Sequence, residues 1–176
     1  MAFPVHAVLH QIFAICLLRA GPQDLPADSR LPIWLAAAYV VVGGLVLSSE
    51  VGFGEGAAQA GLDALLLAGF TWALLRFRGF SERFNQTYAA LVGINLLLAL
   101  LSWPLFAMAP MDPAATQLNF AQVGLLLALL WTLIAQGQVL RSALELGAGL
   151  GLLLAFVYFI LASLVIAAAF PGGAPA

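Results

Sequence analysis

The sequence predicts an all-α polytopic bundle of transmembrane helices, five spans plus an N-terminal helix, and three observations carry that prediction. Hydrophobic residues make up 64% of the 176-residue chain and charged residues only 8%, where a soluble domain carries about 25%. Uncharged apolar stretches of the roughly 20 residues that cross a bilayer core recur along the chain. All six basic residues are arginines, and they fall on one side of the alternating topology that those stretches define. Mean hydropathy is +1.06, so lipid is the natural solvent for most of the surface. A net charge of -2 without any basic run argues against nucleic acid as a partner and against strong electrostatic attachment to acidic lipid.

The elements follow in order. Residues 3–18 form a first helix, short for a span, with His6, His10 and Gln11 near its beginning. It either crosses as a sixth helix or lies in the interface with its polar residues toward headgroups. It has neither the basic n-region nor the small-residue cleavage site of a signal peptide and is read as retained. Cys16, the single cysteine, sits in this apolar run as a small buried hydrophobe. Residues 31–49 lie uncharged between Arg30 and Glu50 and form the first secure span. Residues 56–75 form the next, with Asp63 as the only charge. Residues 84–109 carry no charge and end near Trp103-Pro104 and Pro110. Residues 119–139 form the fifth segment. Residues 146–170 form the last and most apolar one, stopped by Pro171-Gly172-Gly173. The whole chain is one integral membrane domain.

The loops set the orientation. Residues 19–31, 76–83 and 140–145 hold every arginine and are expected to be cytoplasmic. Residues 50–55 hold Glu50 and Glu55, residues 110–118 hold Asp112, and neither loop has a basic residue, so both face the other side, as does the C-terminus. The implied location is a bacterial inner membrane. Trp34, Trp72 and Trp103 stand near span ends, where amphipathic rings anchor at headgroups. Trp131 falls near mid-membrane, where its indole N–H needs an interhelical partner or a water.

Two groups of residues stand out as candidate sites. The first is intramembrane. Glu55, Gln59 and Asp63 recur every four residues on one helical face. An acid within a span defaults to cation or proton handling, although a position near the outer interface would make Asp63 an ordinary surface acid. Tyr88, Asn95 and Ser102 form a stripe at spacing seven on the next helix, suited to interhelical packing and, secondarily, to a substrate path. Gln136 and Gln138 read as polar residues near headgroups. Gly147, Gly151 and Ala155 make a small-residue face for close helix approach.

The second group is at the surface. Arg19, Pro22, Asp24 and Pro26 lie in one tight loop, and Arg76, Arg78, Arg83 and Gln86 in or beside the next arginine-bearing one. The acids of the first loop are placed to meet the arginines of the second, so the two are expected to form one cytoplasmic surface.

No cofactor or metal is expected. His6 and His10 share a helical face, but no carboxylate or thiolate completes a site nearby. The Gly52-x-Gly54-x-Gly56 run follows a membrane span and lacks the strand a dinucleotide site requires. No Ser/His/Asp arrangement is present, so an enzyme is disfavoured.

The segments from Arg19 to Pro26 and from Arg76 to Thr87, with the layout of five spans, resemble small inner-membrane proteins of proteobacteria akin to the Yip1 family. The resemblance implies a non-catalytic membrane factor. The eukaryotic family's own signature is not found in this chain, so a trafficking role does not carry over. The preferred reading is a scaffold or interaction partner within a membrane complex, working through loops 19–31 and 76–87. Its alternative is a small transporter or channel using Asp63 and the Tyr88, Asn95, Ser102 stripe.

Overall fold

A computed structural model describes residues 5–108 and 119–171. They form six helices: α1 (Val5–Cys16), α2 (Arg30–Val46), α3 (Phe53–Arg78), α4 (Phe84–Met108), α5 (Phe120–Leu144) and α6 (Ala148–Ala169). There is no strand among the described residues. In hydrocarbon every backbone polar group must be satisfied within its own element, which leaves helices as the solution for runs this apolar. Four helices, α3 to α6, are long and apolar enough to cross a membrane. The chain is a multi-pass membrane protein.

Length separates the remaining two. At 1.5 Å per residue, the 12 residues of α1 reach only about 18 Å, against about 30 Å for a hydrocarbon core. The 17 residues of α2 reach about 26 Å, close to that core. The expected first helix at 3–18 is shorter because the chain turns at Leu18, whose φ of 61° breaks the helix. Residues 3 and 4 lie outside the described residues, as does the expected loop 110–118.

Several boundaries differ from the expectation, each for a local reason. α3 begins at Phe53 and continues to Arg78, so Arg76 and Arg78 occupy its last turn. Gly79 then adopts the left-handed conformation at φ 77°, and the Phe80 amide returns to the Leu75 carbonyl at 2.8 Å. That backbone geometry closes a helix C-terminus and is cheapest at glycine. α5 does not stop at 139 but runs to Leu144, which places Arg141 in its last turn rather than in a loop. Its start is fixed by a reciprocal cap: the Gln122 amide donates to Asn119 Oδ1 at 2.8 Å, and the Asn119 amide donates to Gln122 Oε1 at 2.9 Å. α4 passes through Pro104 without ending.

α4 is the hub. Residues 87–94 are buried on all sides, because α1, α2, α3 and α5 surround that half of the helix. α6 closes the bundle against α5 and α3. The α5–α6 contact depends on glycine. A Cβ at Gly151 would collide with the Gly137 carbonyl oxygen and with Arg141, while Ala155 further along is fully buried. Gly147, the third position of the expected small-residue face, is the N-cap of α6 and has open space around it. Trp131 finds the interhelical partner its position requires, donating its indole N–H to the Cys16 carbonyl at 3.0 Å. Trp34, Trp72 and Trp103 are exposed, as lipid-facing anchors are.

Candidate functional site

The chain has only three tyrosines, and all three direct their hydroxyls at residues 63 and 64 of α3. Tyr39 on α2 donates to Asp63 Oδ2 at 2.8 Å. Tyr158 on α6 donates to Asp63 Oδ1 at 2.6 Å, and the backbone oxygen of Asp63 lies 3.0 Å from the same hydroxyl. Tyr88 on α4 donates to the Ala64 carbonyl at 2.9 Å. Both carboxyl oxygens of Asp63 thus accept a tyrosine hydroxyl. Four helices meet at this point.

Asp63 lies ten residues from the start of α3 and fifteen from its end, well inside the helix. It stands at the floor of a cavity of about 890 Å³. Asn95 on α4 and Gln136 on α5 line the same cavity, joined by a bond from Gln136 Nε2 to Asn95 Oδ1 at 2.7 Å. Beyond this polar layer, toward the arginine end, Leu67, Leu75, Leu91, Val139 and Leu144 are almost completely buried and close the bundle. In the other direction the lining continues through Gln59, Ser102, Gln122 and Ser163 to Leu47, Phe106 and Ile166, near the opposite ends of their helices. The cavity therefore occupies the half of the bundle away from the arginines. Its walls are mainly aliphatic, and no basic side chain lines it.

Among the candidate intramembrane residues, Asp63, Asn95 and Ser102 come together on this cavity. Tyr88 does not line it and serves instead to tie α4 to α3. The sequence reading missed Tyr39 and Tyr158. It also placed Gln136 near headgroups, whereas Gln136 is buried and paired within the bundle. The cause is that an amide at a helix end in sequence terms becomes internal once α5 extends to Leu144.

The surface candidates gather at the other end, but much of their hydrogen bonding turns inward. Gln86 donates to the carbonyls of Leu25 and Gln23. Arg78 donates to the Leu144 carbonyl at 3.1 Å, and Arg83 to the Ala143 carbonyl at 3.2 Å. These carbonyls belong to the last turn of α5, where the helix leaves its acceptors without internal partners. Pro22 is buried at the start of a short 3₁₀ turn, Pro22–Asp24, and Pro26 is half-buried. Asp24 accepts from the Gly21 amide at 2.8 Å and so closes its own turn. Asp28 accepts from the amide of Arg30. The expected pairing of loop acids with loop arginines is replaced by Arg83–Glu145 at 2.8 Å, the only ion pair among the described residues. Arg19 and Arg76 are exposed, as are His6 and His10 on α1. No group of three or more potential metal ligands occurs among the described residues.

Comparison of the chain with protein-family models, with curated proteins and with solved structures finds no match.

Proposed function

We propose that this chain is a small inner-membrane carrier that takes a solute into the Asp63 cavity from the face opposite the arginines. In this reading α2 to α6 are five spans, the arginine-bearing end is cytoplasmic and the C-terminus is outside. The chain acts without a catalytic step. The supporting observation is the convergence of Asp63, Asn95, Gln136 and Tyr158, from four helices, on one open cavity of an apolar bundle. Intramembrane polar groups are costly, and a packed scaffold has no use for a cavity of this size at their level. Carriers place solute sites near the midplane, between helices.

Cysteine accessibility tests this in a Cys16→Ala background. Ser163 and Leu164 are both exposed in the chain, but only Ser163 lines the cavity. A thiol reacts as the thiolate, which needs water. Ser163→Cys is expected to label with a membrane-impermeant maleimide applied from the outer face, and Leu164→Cys to stay silent. Gly54→Cys, at the exposed start of α3, reports that the reagent reaches that face. Labelling at position 54 with none at 163 would overturn the carrier reading.

One observation favours a second reading. Phe77 is 91% exposed between Arg76 and Arg78, a surface suited to a protein partner at the arginine end. A scaffold role, in keeping with the likeness to the Yip1 family, would use that patch together with Arg19.

A further inference from the structure

We propose that the cavity binds lipophilic monovalent cations, with the Asp63 carboxylate as their counter-charge. This deepens the carrier reading and rests on it. Four features of the site select the ligand class.

The first is charge. Asp63 is the one acid in the lining, and no basic side chain lines the cavity with it. Two tyrosine hydroxyls satisfy hydrogen bonds of its oxygens but contribute no positive charge. A charge within the membrane needs a partner, and no cationic side chain in the lining supplies one to Asp63. An anionic ligand would meet repulsion from Asp63 with no cation to offset it.

The second is wall chemistry. Above the polar floor the lining is mainly leucine, alanine and phenylalanine, interrupted by Gln59, Ser102, Gln122, Thr132 and Ser163. A sugar or an amino acid would leave polar groups unpaired against the aliphatic part of such walls. An apolar body carrying one charged centre leaves none.

The third is size and valence. A cavity of about 890 Å³ fits an organic molecule of drug size rather than a bare ion. A divalent metal would need several hard ligands, and no such cluster exists among the described residues.

The fourth is the approach. Glu55, Gln59 and Asp63 share one face of α3, leading from the helix's first turn to the cavity floor. Glu55 lies in the first turn of α3 at that end of the bundle, with Glu50 shortly before it, while Arg30, Arg76, Arg78, Arg83 and Arg141 lie at the other. The local field at the mouth draws cations in.

Tetraphenylphosphonium and tetraphenylborate have the same shape and opposite charge, so they isolate the charge requirement. Binding is measured on the purified full chain in nanodiscs. Saturable binding of tetraphenylphosphonium is expected, without competition from tetraphenylborate or neutral triphenylphosphine oxide. Asp63→Asn should weaken it by at least about tenfold, and Asp63→Glu should retain it. Equal competition by the borate or by the neutral compound, or an unchanged affinity in Asp63→Asn, would overturn the assignment.

A second measurement does not depend on how the Asp63 variants fold. In the Ser163→Cys protein, which keeps Asp63, tetraphenylphosphonium should slow maleimide labelling and the borate should not. Labelling at 163 that the cation leaves untouched defeats the ligand assignment while the carrier reading stands. Absence of labelling at 163 defeats both.

Discussion

Gln86, at the start of α4, donates to the carbonyl oxygen of Leu25 at 2.6 Å and so pins the first loop to the hub helix. The second hydrogen of the same amide reaches the Gln23 carbonyl at 3.3 Å. Leu25 is buried, which makes its carbonyl expensive to leave unpaired. Gln86→Ala is therefore expected to lower stability by about 1–3 kcal/mol, the cost of an unsatisfied buried acceptor. Thermal unfolding of the detergent-solubilised protein measures it. An unchanged midpoint would mean that water replaces the amide and that Gln86 is free for a partner.

Arg83 and Arg78 combine a charge at the end of α5 with donors to its last carbonyls, favourable terms at a helix C-terminus. The Arg83 guanidinium also lies 4.3 Å from the centre of the Phe80 ring. Its pairing with Glu145 adds little, since the two side chains are 38% and 58% exposed and such pairs contribute about 0–1 kcal/mol. Replacing Arg78 and Arg83 together with Gln is expected to speed amide exchange at residues 141–146. Arg76→Gln, at an exposed position, is expected to leave exchange there unchanged. Equal exchange in both variants would show that the arginines act only as topological anchors.

The scaffold reading makes its own prediction. With Arg76, Arg78 and Arg83 all replaced by Gln, a partner held at the Phe77 surface should be lost from co-purification. Insertion must be measured in parallel, because the same residues set orientation. In the wild-type topology, single cysteines at positions 78 and 141 are expected to label only from the cytoplasmic side. Periplasmic labelling at either position would sink the topology, and full recovery of partners by a correctly inserted triple variant would sink the docking surface.

The helices that cross were legible because an uncharged apolar run of this length has one good structural solution. Their ends were less legible. Arg141 reads as a loop residue when charge alone is considered, yet an arginine in the last turn can reach headgroups along its aliphatic stem, and the helix continues. Half of the cavity was visible: Asp63, Asn95 and Ser102 stand out as polar residues in spans. The other half was not, because Tyr39 and Tyr158 lie 24 residues before and 95 after Asp63, and nothing local joins them. The usable signal was rarity, three tyrosines in the whole chain, each within a helix. Spacing could not foretell that the acids of the first loop would bond backbone amides instead of arginines, since either choice satisfies them.

Packing and site meet on α6. Gly151 touches Gly137 and Arg141 of α5 so closely that any Cβ must push the helices apart. Tyr158, two turns further along α6, is the donor to Asp63 Oδ1. Gly151→Ala is therefore expected to destabilise the bundle by about 1–3 kcal/mol, the usual cost of overpacking, although alanine is the better helix former. It should also draw the Tyr158 hydroxyl away from Asp63 and weaken tetraphenylphosphonium binding. Gly149 offers the control, since a Cβ there meets nothing within 4 Å. Gly149→Ala should be neutral or stabilise by up to about 1 kcal/mol. Thermal unfolding and cation binding on the two variants separate the terms. If both alanines behave alike, the α5–α6 contact yields more easily than its geometry implies, and Tyr158 is held in place by α3 instead.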